Sequence, residues 1–80
     1  MKVLVKYFAS YREAVGISDE TIETPENSTV KDIIEIISIK HPNLGSMSDA
    51  IHALNQNVVD LNAKVKEGDT LAIFPLVGGG

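Results

Sequence analysis

Hydrophobic and polar residues alternate near both ends of the chain, with the two-residue period of β-strands. Residues 2–9 are rich in β-branched and aromatic side chains, which predicts a first strand, and residues 70–74 predict the last one. Weak alternation over 19–24 predicts an edge strand that pairs with the first. Short apolar runs at 51–54 and 58–59, on either side of a polar turn, predict two more. The pattern therefore predicts about five strands.

The middle of the chain carries apolar residues at helical spacing instead. Thr29 is a suitable N-cap, and Asp32 suits the positive end of a helix. Proline disfavours a helical residue before it, so the pair His41-Pro42 should end the helix. The stripe between these limits has the spacing of a core-facing helix and consists of Val30, Ile33, Ile34, Ile36 and Ile37.

A second, shorter helix is predicted directly after the first strand. Ser10 and Glu13 have the spacing of a capping box, in which the Ser10 hydroxyl caps the helix and Glu13 reaches back. Gly16 suits the left-handed position that ends many helices. The capping role also explains Ser10 better than a role as a nucleophile does.

The order of elements is strand, strand, main helix and three further strands. A crossover through the helix places the last strand parallel to the first. This is an α+β fold of the β-grasp, or ubiquitin-like, architecture: a mixed sheet of about five strands with one main helix packed across one face. We predict that residues 1–77 form this domain and that residues 78–80 form a flexible glycine tail.

The phase of the alternation separates the two faces of the predicted sheet. Leu4, Phe8 and Phe74 fall on the face that one helix leaves uncovered. Exposed aromatic patches usually mark interfaces, so these side chains and Pro75 are predicted to bind a partner beside the tail. The alternative is an inverted phase, with the two phenylalanines in the core. The predicted core, between helix and sheet, includes Val5, Ile33, Ile37, Leu71 and Ile73.

Composition and charge narrow the classes of function. The chain has 80 residues, of which 44% are hydrophobic and 22% charged, as in globular domains. Seven basic and eleven acidic residues give a net charge of -4, and the basic residues are scattered. Nucleic acid and anionic membranes are therefore not expected partners. Neither a membrane span nor a signal peptide is indicated, so the expected compartment is the cytoplasm.

Conventional catalytic residues are not grouped in the sequence. The absence of cysteine excludes disulfides, thiolate nucleophiles and cysteine-based zinc sites. His41 is predicted to have a capping or solvated role, and His52 to face outward or to lie at an edge. The carboxylates fall at turns and on predicted solvent faces. We therefore predict no metal site and no catalytic pair.

The remaining candidate is the C-terminal glycine triplet. One interpretation is a frayed end or a linker remnant. The other is that the terminal carboxylate is the reactive group. Glycine lacks a Cβ, so its backbone can enter a narrow channel and its carbonyl is open to attack. Glycines that directly follow the last strand of a predicted β-grasp domain favour the second interpretation.

Three segments resemble the MoaD/ThiS family of ubiquitin-like sulfur carriers, over the whole length of the chain. Residues 7–13 resemble the Phe-Ala-x-x-Arg-Glu motif of the MoaD branch, and residues 53–56 resemble its strand-turn pattern. Residues 67–75 and the glycines resemble its Gly-Asp turn, strand, proline and Gly-Gly end. The chain departs from the family at Leu76, often a second proline, and at Gly78, commonly Ser, Thr or Ala.

The resemblance implies a function in which an E1-like enzyme uses ATP to adenylate Gly80. Sulfur transfer then gives a thiocarboxylate, which donates sulfur in building the molybdopterin dithiolene, in a complex with the large subunit of molybdopterin synthase. Gly78 and Gly79 would thread through the partner's channel. The chain would be a non-catalytic subunit and protein substrate that binds no cofactor itself.

Two other functions stay open at this stage. Archaeal ubiquitin-like small modifiers also resemble the MoaD branch, and they would be joined to target lysines through Gly80. A plain β-grasp interaction module with an inert tail is the third possibility. The sequence does not separate the first two, because both require only the fold and the tail.

Overall fold

Five strands and two α-helices make up the part of the chain that the computed structural model describes, residues 1–47 and 49–76. The predicted tail at 78–80, and the domain's predicted last residue at 77, lie outside these ranges. Neither α-helix has the length and apolar character that a membrane crossing requires. The elements are β1 (Lys2–Tyr7), α1 (Ala9–Val15), β2 (Asp19–Glu23), α2 (Val30–Lys40), a 3-10 turn (Pro42–Leu44), β3 (Ile51–Leu54), β4 (Asn57–Val59) and β5 (Thr70–Phe74).

All five strands form one mixed sheet, in the order β2-β1-β5-β3-β4. Strands β1 and β5 are parallel, with Val5 opposite Leu71 and Tyr7 opposite Ile73. The other three strand pairs are antiparallel. The predicted edge position of β2, the parallel pairing of the first and last strands, and the β-grasp architecture are confirmed.

The hydrophobic core lies between α2 and one face of the sheet. Val5, Leu71 and Ile73 on the sheet and Ile33 and Ile37 on the helix are all fully buried. These are the five predicted core residues, so the predicted phase of the strands and of the helix is confirmed.

Helix α2 begins and ends where its sequence indicates. The Asp32 amide donates to the Thr29 hydroxyl oxygen at 3.4 Å, and the Thr29 amide donates to the Asp32 carboxylate at 2.9 Å. This reciprocal pair is a capping box, and it satisfies two backbone donors at the helix start. At the other end, the His41 amide donates to the Ile37 carbonyl at 2.8 Å, and Pro42 begins the 3-10 turn.

Helix α1 begins two residues earlier than its capping pattern predicts. Its N-cap is Phe8, with no side-chain capping bond, so Ser10 lies inside the helix and its predicted role as a cap is wrong. The reason is that β1 ends at Tyr7 and Ala9 turns the chain with a φ of +52°. The predicted end at Gly16 is confirmed, with a φ of +89°.

The turn between β3 and β4 is two residues long instead of the three predicted. Asn55 and Gln56 have φ values of +50° and +75°, as the right-handed twist of a tight hairpin requires, and Asn57 already belongs to β4. The Asn55 side chain accepts from the Thr70 amide and donates to the Asp69 carboxylate, both at 2.9 Å. This side chain therefore fixes the hairpin to the start of β5.

Candidate functional site

The centre of the candidate site is an aromatic pair on the face of the sheet opposite α2. The ring centroids of Phe8 and Phe74 lie 5.8 Å apart at an angle of 87°, the edge-to-face geometry that aromatic pairs prefer. Because β1 and β5 are parallel, both rings lie at the same end of the sheet. Phe8 is 44% exposed and Phe74 is partly exposed, so the pair is accessible to a partner.

The backbone holds Phe8 in this position. Its amide donates to the Ile73 carbonyl at 3.2 Å, which continues the parallel ladder one residue past β1. Its carbonyl accepts from the amides of Tyr11 and Arg12 at the start of α1. The ring is therefore fixed between a strand end and a helix start.

A shallow hollow of about 470 Å³ lies beside the aromatic pair on the open face. Its lining includes Phe8, Lys6 and Ala72 from the sheet and Asn55 and Gln56 from the β3–β4 turn. The hollow thus combines apolar walls, one ammonium group and two amides, which are suitable for the backbone and side chains of another protein.

The structure brings three of the predicted partner-binding residues together and separates the fourth. Pro75 follows Phe74 directly, and the described chain ends at Leu76, which is exposed. Leu4 is half-buried on the same face but four residues before Phe8, about 13 Å along the strand. Gly78, Gly79 and Gly80 lie outside the described residues.

A largely buried carboxylate on the helix side of the sheet was not identified from the sequence. Glu20 accepts from the Tyr7 hydroxyl at 2.5 Å, lies 2.5 Å from His41 Nε2, and pairs with Lys40 Nζ at 2.7 Å. Its side chain is only 10% exposed, so its predicted place on a solvated surface is wrong. His41 does end α2, but it is paired with a carboxylate. The available signal was that Glu20 shares its strand face with the buried Ile22.

The contacts in this cluster shift the pKa values of Glu20 and Tyr7. Burial alone would raise the pKa of Glu20, but the hydrogen bonds with Lys40, Tyr7 and His41 outweigh it and lower that pKa to about 2. Burial and the hydrogen bond to Glu20 raise the pKa of Tyr7 above its usual range. The cluster ties β1 and β2 to the end of α2, which is a structural role.

His52 is inside the protein, so the prediction that it faces outward or lies at an edge is wrong. It lies opposite Ile73 in the β3–β5 register and therefore on the core face. Its Nε2 has no hydrogen-bond partner among the described residues. Burial lowers its pKa, although a hydrogen bond with the Val59 backbone opposes this shift. A four-residue strand is too short to reveal its phase from sequence alone.

Comparison with known proteins identifies relatives that cover the whole chain. The family model described as the ThiS family matches residues 5–80. The molybdopterin synthase sulfur carrier subunit of Chlamydomonas reinhardtii is 37% identical, with all of both chains covered. The small archaeal modifier protein SAMP1 of Haloferax volcanii superposes with a TM-score of 0.89 at 26% identity, again with all of both chains covered.

A further match is to a protein–protein complex. A chain in the complex of subunits 1 and 2 of the molybdopterin-converting factor from Helicobacter pylori has a TM-score of 0.71 and 26% identity, with both chains fully covered. Relatives of the chain thus include a subunit found in a two-protein complex.

Proposed function

We propose, because this chain belongs to the ThiS family, that it is a sulfur carrier protein in molybdopterin biosynthesis. The observation that carries the proposal is the full-length similarity to a molybdopterin synthase sulfur carrier subunit. The proposal is also supported by the exposed pair of Phe8 and Phe74, because β5, the last strand before the glycines, ends at this pair. The reactive group is the carboxylate of Gly80.

The first step activates this carboxylate. An oxygen of Gly80 attacks the α-phosphorus of ATP on an E1-like enzyme, and pyrophosphate leaves, which gives an acyl-adenylate. Hydrosulfide, or an equivalent sulfur nucleophile, then attacks the Gly80 carbonyl carbon, and AMP leaves with the C–O bonding pair. The product is a thiocarboxylate whose sulfur is used to build the dithiolene of molybdopterin.

The chain's own contribution to this chemistry is recognition. β5, which precedes the tail in the chain, ends beside Phe8, so a partner that binds the aromatic pair would receive the glycines close to that contact. ATP binds the activating enzyme and not this chain. The large subunit of molybdopterin synthase is the second partner, as the two-subunit complex from H. pylori suggests.

Intact-mass analysis tests the proposal directly. The protein is incubated with an E1-like enzyme of the same pathway, ATP and sodium sulfide. We expect the protein to gain the mass that corresponds to the replacement of one oxygen atom by one sulfur atom. Fragmentation should locate this change at Gly80. The control omits ATP and should show no gain. No change in mass in the complete mixture would contradict the proposal.

A second candidate function is supported by the similarity to SAMP1. For a small modifier, the ε-amine of a target lysine attacks the acyl-adenylate carbonyl, and an isopeptide bond forms as AMP leaves. This reaction can replace sulfur transfer because an amine, like hydrosulfide, is a nucleophile. Recovery of proteins whose lysine side chains are joined by an isopeptide bond to Gly80 of this chain would support the second function. The same protein can carry out both reactions, since they share the first intermediate.

A further inference from the structure

A groove of about 370 Å³ lies between the outer surface of α2 and the loop at residues 24–28. Its apolar part is formed by Ile36 and Ile39 on the helix. Ile39 is 82% exposed, the highest value among the large hydrophobic side chains that the structure describes. A single exposed isoleucine is ordinary on a protein surface, but Ile39 lines a concave site beside the half-buried Ile36.

The rim of the groove is acidic. Glu26, Asp32 and Glu35 line it, and among the described residues no lysine or arginine does. The carboxylate of Glu35 makes no hydrogen bond or ion pair with any described residue, whereas Asp32 accepts from the Thr29 amide. Glu26 lies 3.9 Å from the N-terminal ammonium group, which offsets part of the negative charge. The potential at the rim therefore favours a cation.

The loop side of the groove is internally bonded. The hydroxyl groups of Thr24 and Ser28 lie 2.6 Å apart and both residues are buried. The Ser28 hydroxyl is also 2.6 Å from the Pro25 carbonyl oxygen. On the helix side, the capping box fixes the first turn of α2. A ligand would meet walls that are already ordered, so binding would cost little conformational entropy.

The loop side of the groove is at the opposite end of the sheet from the aromatic pair, and its helix side lies on α2, across the sheet from that pair. The Thr24 amide donates to the Met1 carbonyl at 2.9 Å, so the loop lies at the N-terminal end of β1. Phe8 lies past the C-terminal end of this strand, roughly 20 Å away. A protein bound at the aromatic pair would leave the groove accessible.

We propose that this groove is a second docking surface, and that it binds a partner segment with a lysine or arginine beside an aliphatic or aromatic side chain. The apolar side chain contacts Ile36 and Ile39, and the cation lies at Glu35 and Glu26. The two surfaces can then be occupied together, with one partner at the tail and another on the helix.

The test uses NMR titration with a blocked hexapeptide of alternating lysine and leucine, at low ionic strength. We expect saturable amide shift changes at residues 24–28 and on the outer face of α2. Glu35→Lys should weaken binding by at least about fivefold, since it replaces an attraction with a repulsion. The matched control is Glu13→Lys, with the same change of net charge on α1 at the other end of the sheet, which should weaken binding less than about twofold. Ile39→Ser should weaken binding by at least about threefold.

Three outcomes would overturn the proposal. Equal weakening by Glu13→Lys and Glu35→Lys would mean that net charge alone attracts the peptide. Shift changes centred on Phe8 and Phe74 would place the binding on the other surface. The absence of saturable binding at millimolar peptide would remove the site. Substitutions at these exposed positions should leave the fold intact. The amide spectra of the variants without peptide verify this.

Discussion

The edge of one phenyl ring meets the face of the other where Phe8 packs against Phe74, with centroids 5.8 Å apart. One ring follows the first strand and the other ends the last, so their contact depends on the parallel pairing of β1 with β5. The pair therefore forms only when both ends of the chain are folded together.

The two neighbouring residues Ile73 and Phe74 have opposite environments, which gives a matched test. Phe74→Ala should weaken binding to the activating enzyme by roughly 1–4 kcal/mol and change stability little, because its ring is on the open face. Ile73→Ala should lower the free energy of unfolding by ~2–5 kcal/mol, because Ile73 is fully buried. Calorimetry measures the binding free energy of each variant, and urea unfolding measures its stability. A Phe74→Ala protein that unfolds while Ile73→Ala stays stable would contradict this assignment.

Helix α2 offers a second matched pair. Ile37→Ala should lower the free energy of unfolding by ~2–5 kcal/mol, since it leaves a cavity in the core. Ile39→Ala, two residues away and 82% exposed, should change it by less than about 0.5 kcal/mol. Both values come from urea denaturation. Similar costs at the two positions would show that the helix is packed differently.

Removal of Gly80 separates chemistry from stability. The truncated protein should gain no sulfur and form no adenylate, because the activated carboxylate would be on Gly79, one residue short of its position in the channel. Its melting temperature should stay nearly unchanged, because terminal residues usually contribute few contacts. The measurements are intact mass with the activating enzyme and thermal unfolding. Full activity of the truncated protein would contradict the assignment of Gly80.

Glu20 should make the free energy of unfolding depend on pH. Its pKa is lowered from 4.5 to about 2 in the folded protein, so its contribution is complete above pH 4.5 and disappears as the pH falls toward 2. Glu20→Gln should be less stable than the original protein at neutral pH by about 1–3 kcal/mol. Urea unfolding from pH 7 to 2 should show this difference shrinking. A difference that does not change with pH would contradict the ionised state of the cluster.

The fold was predictable to a large extent because the periodic patterns of hydrophobic residues in its main elements are long. The alternation along β1 and β5 and the isoleucine stripe of α2 each repeat several times, so they fix the buried face. The helix start at Thr29 and the end of α1 at Gly16 were predictable because their chemistry is local.

The errors are at positions where a distant residue decides the structure. Ser10 fits a local capping pattern, but the pairing of Phe8 with Ile73 and the turn at Ala9 start the helix earlier. The Glu20 side chain is largely buried because Tyr7, Lys40 and His41 surround it, and these partners come from two other parts of the chain, β1 and the end of α2. The candidate surface was predictable in outline, since Phe8 and Phe74 share a strand phase, whereas their contact depends on the register of β1 with β5.

The parallel arrangement of β1 and β5 also determines how the protein responds to mechanical force. A pull on the C-terminus against the N-terminal strand acts along the strand axes in opposite directions. The hydrogen bonds between the two strands are then loaded in shear, and they share the load instead of breaking one after another. β5 is also held by β3 on its other side, so the strand that leads to the tail is anchored along both edges. A pull transmitted through the C-terminal end of β5 therefore has to overcome hydrogen bonds along both edges of this strand.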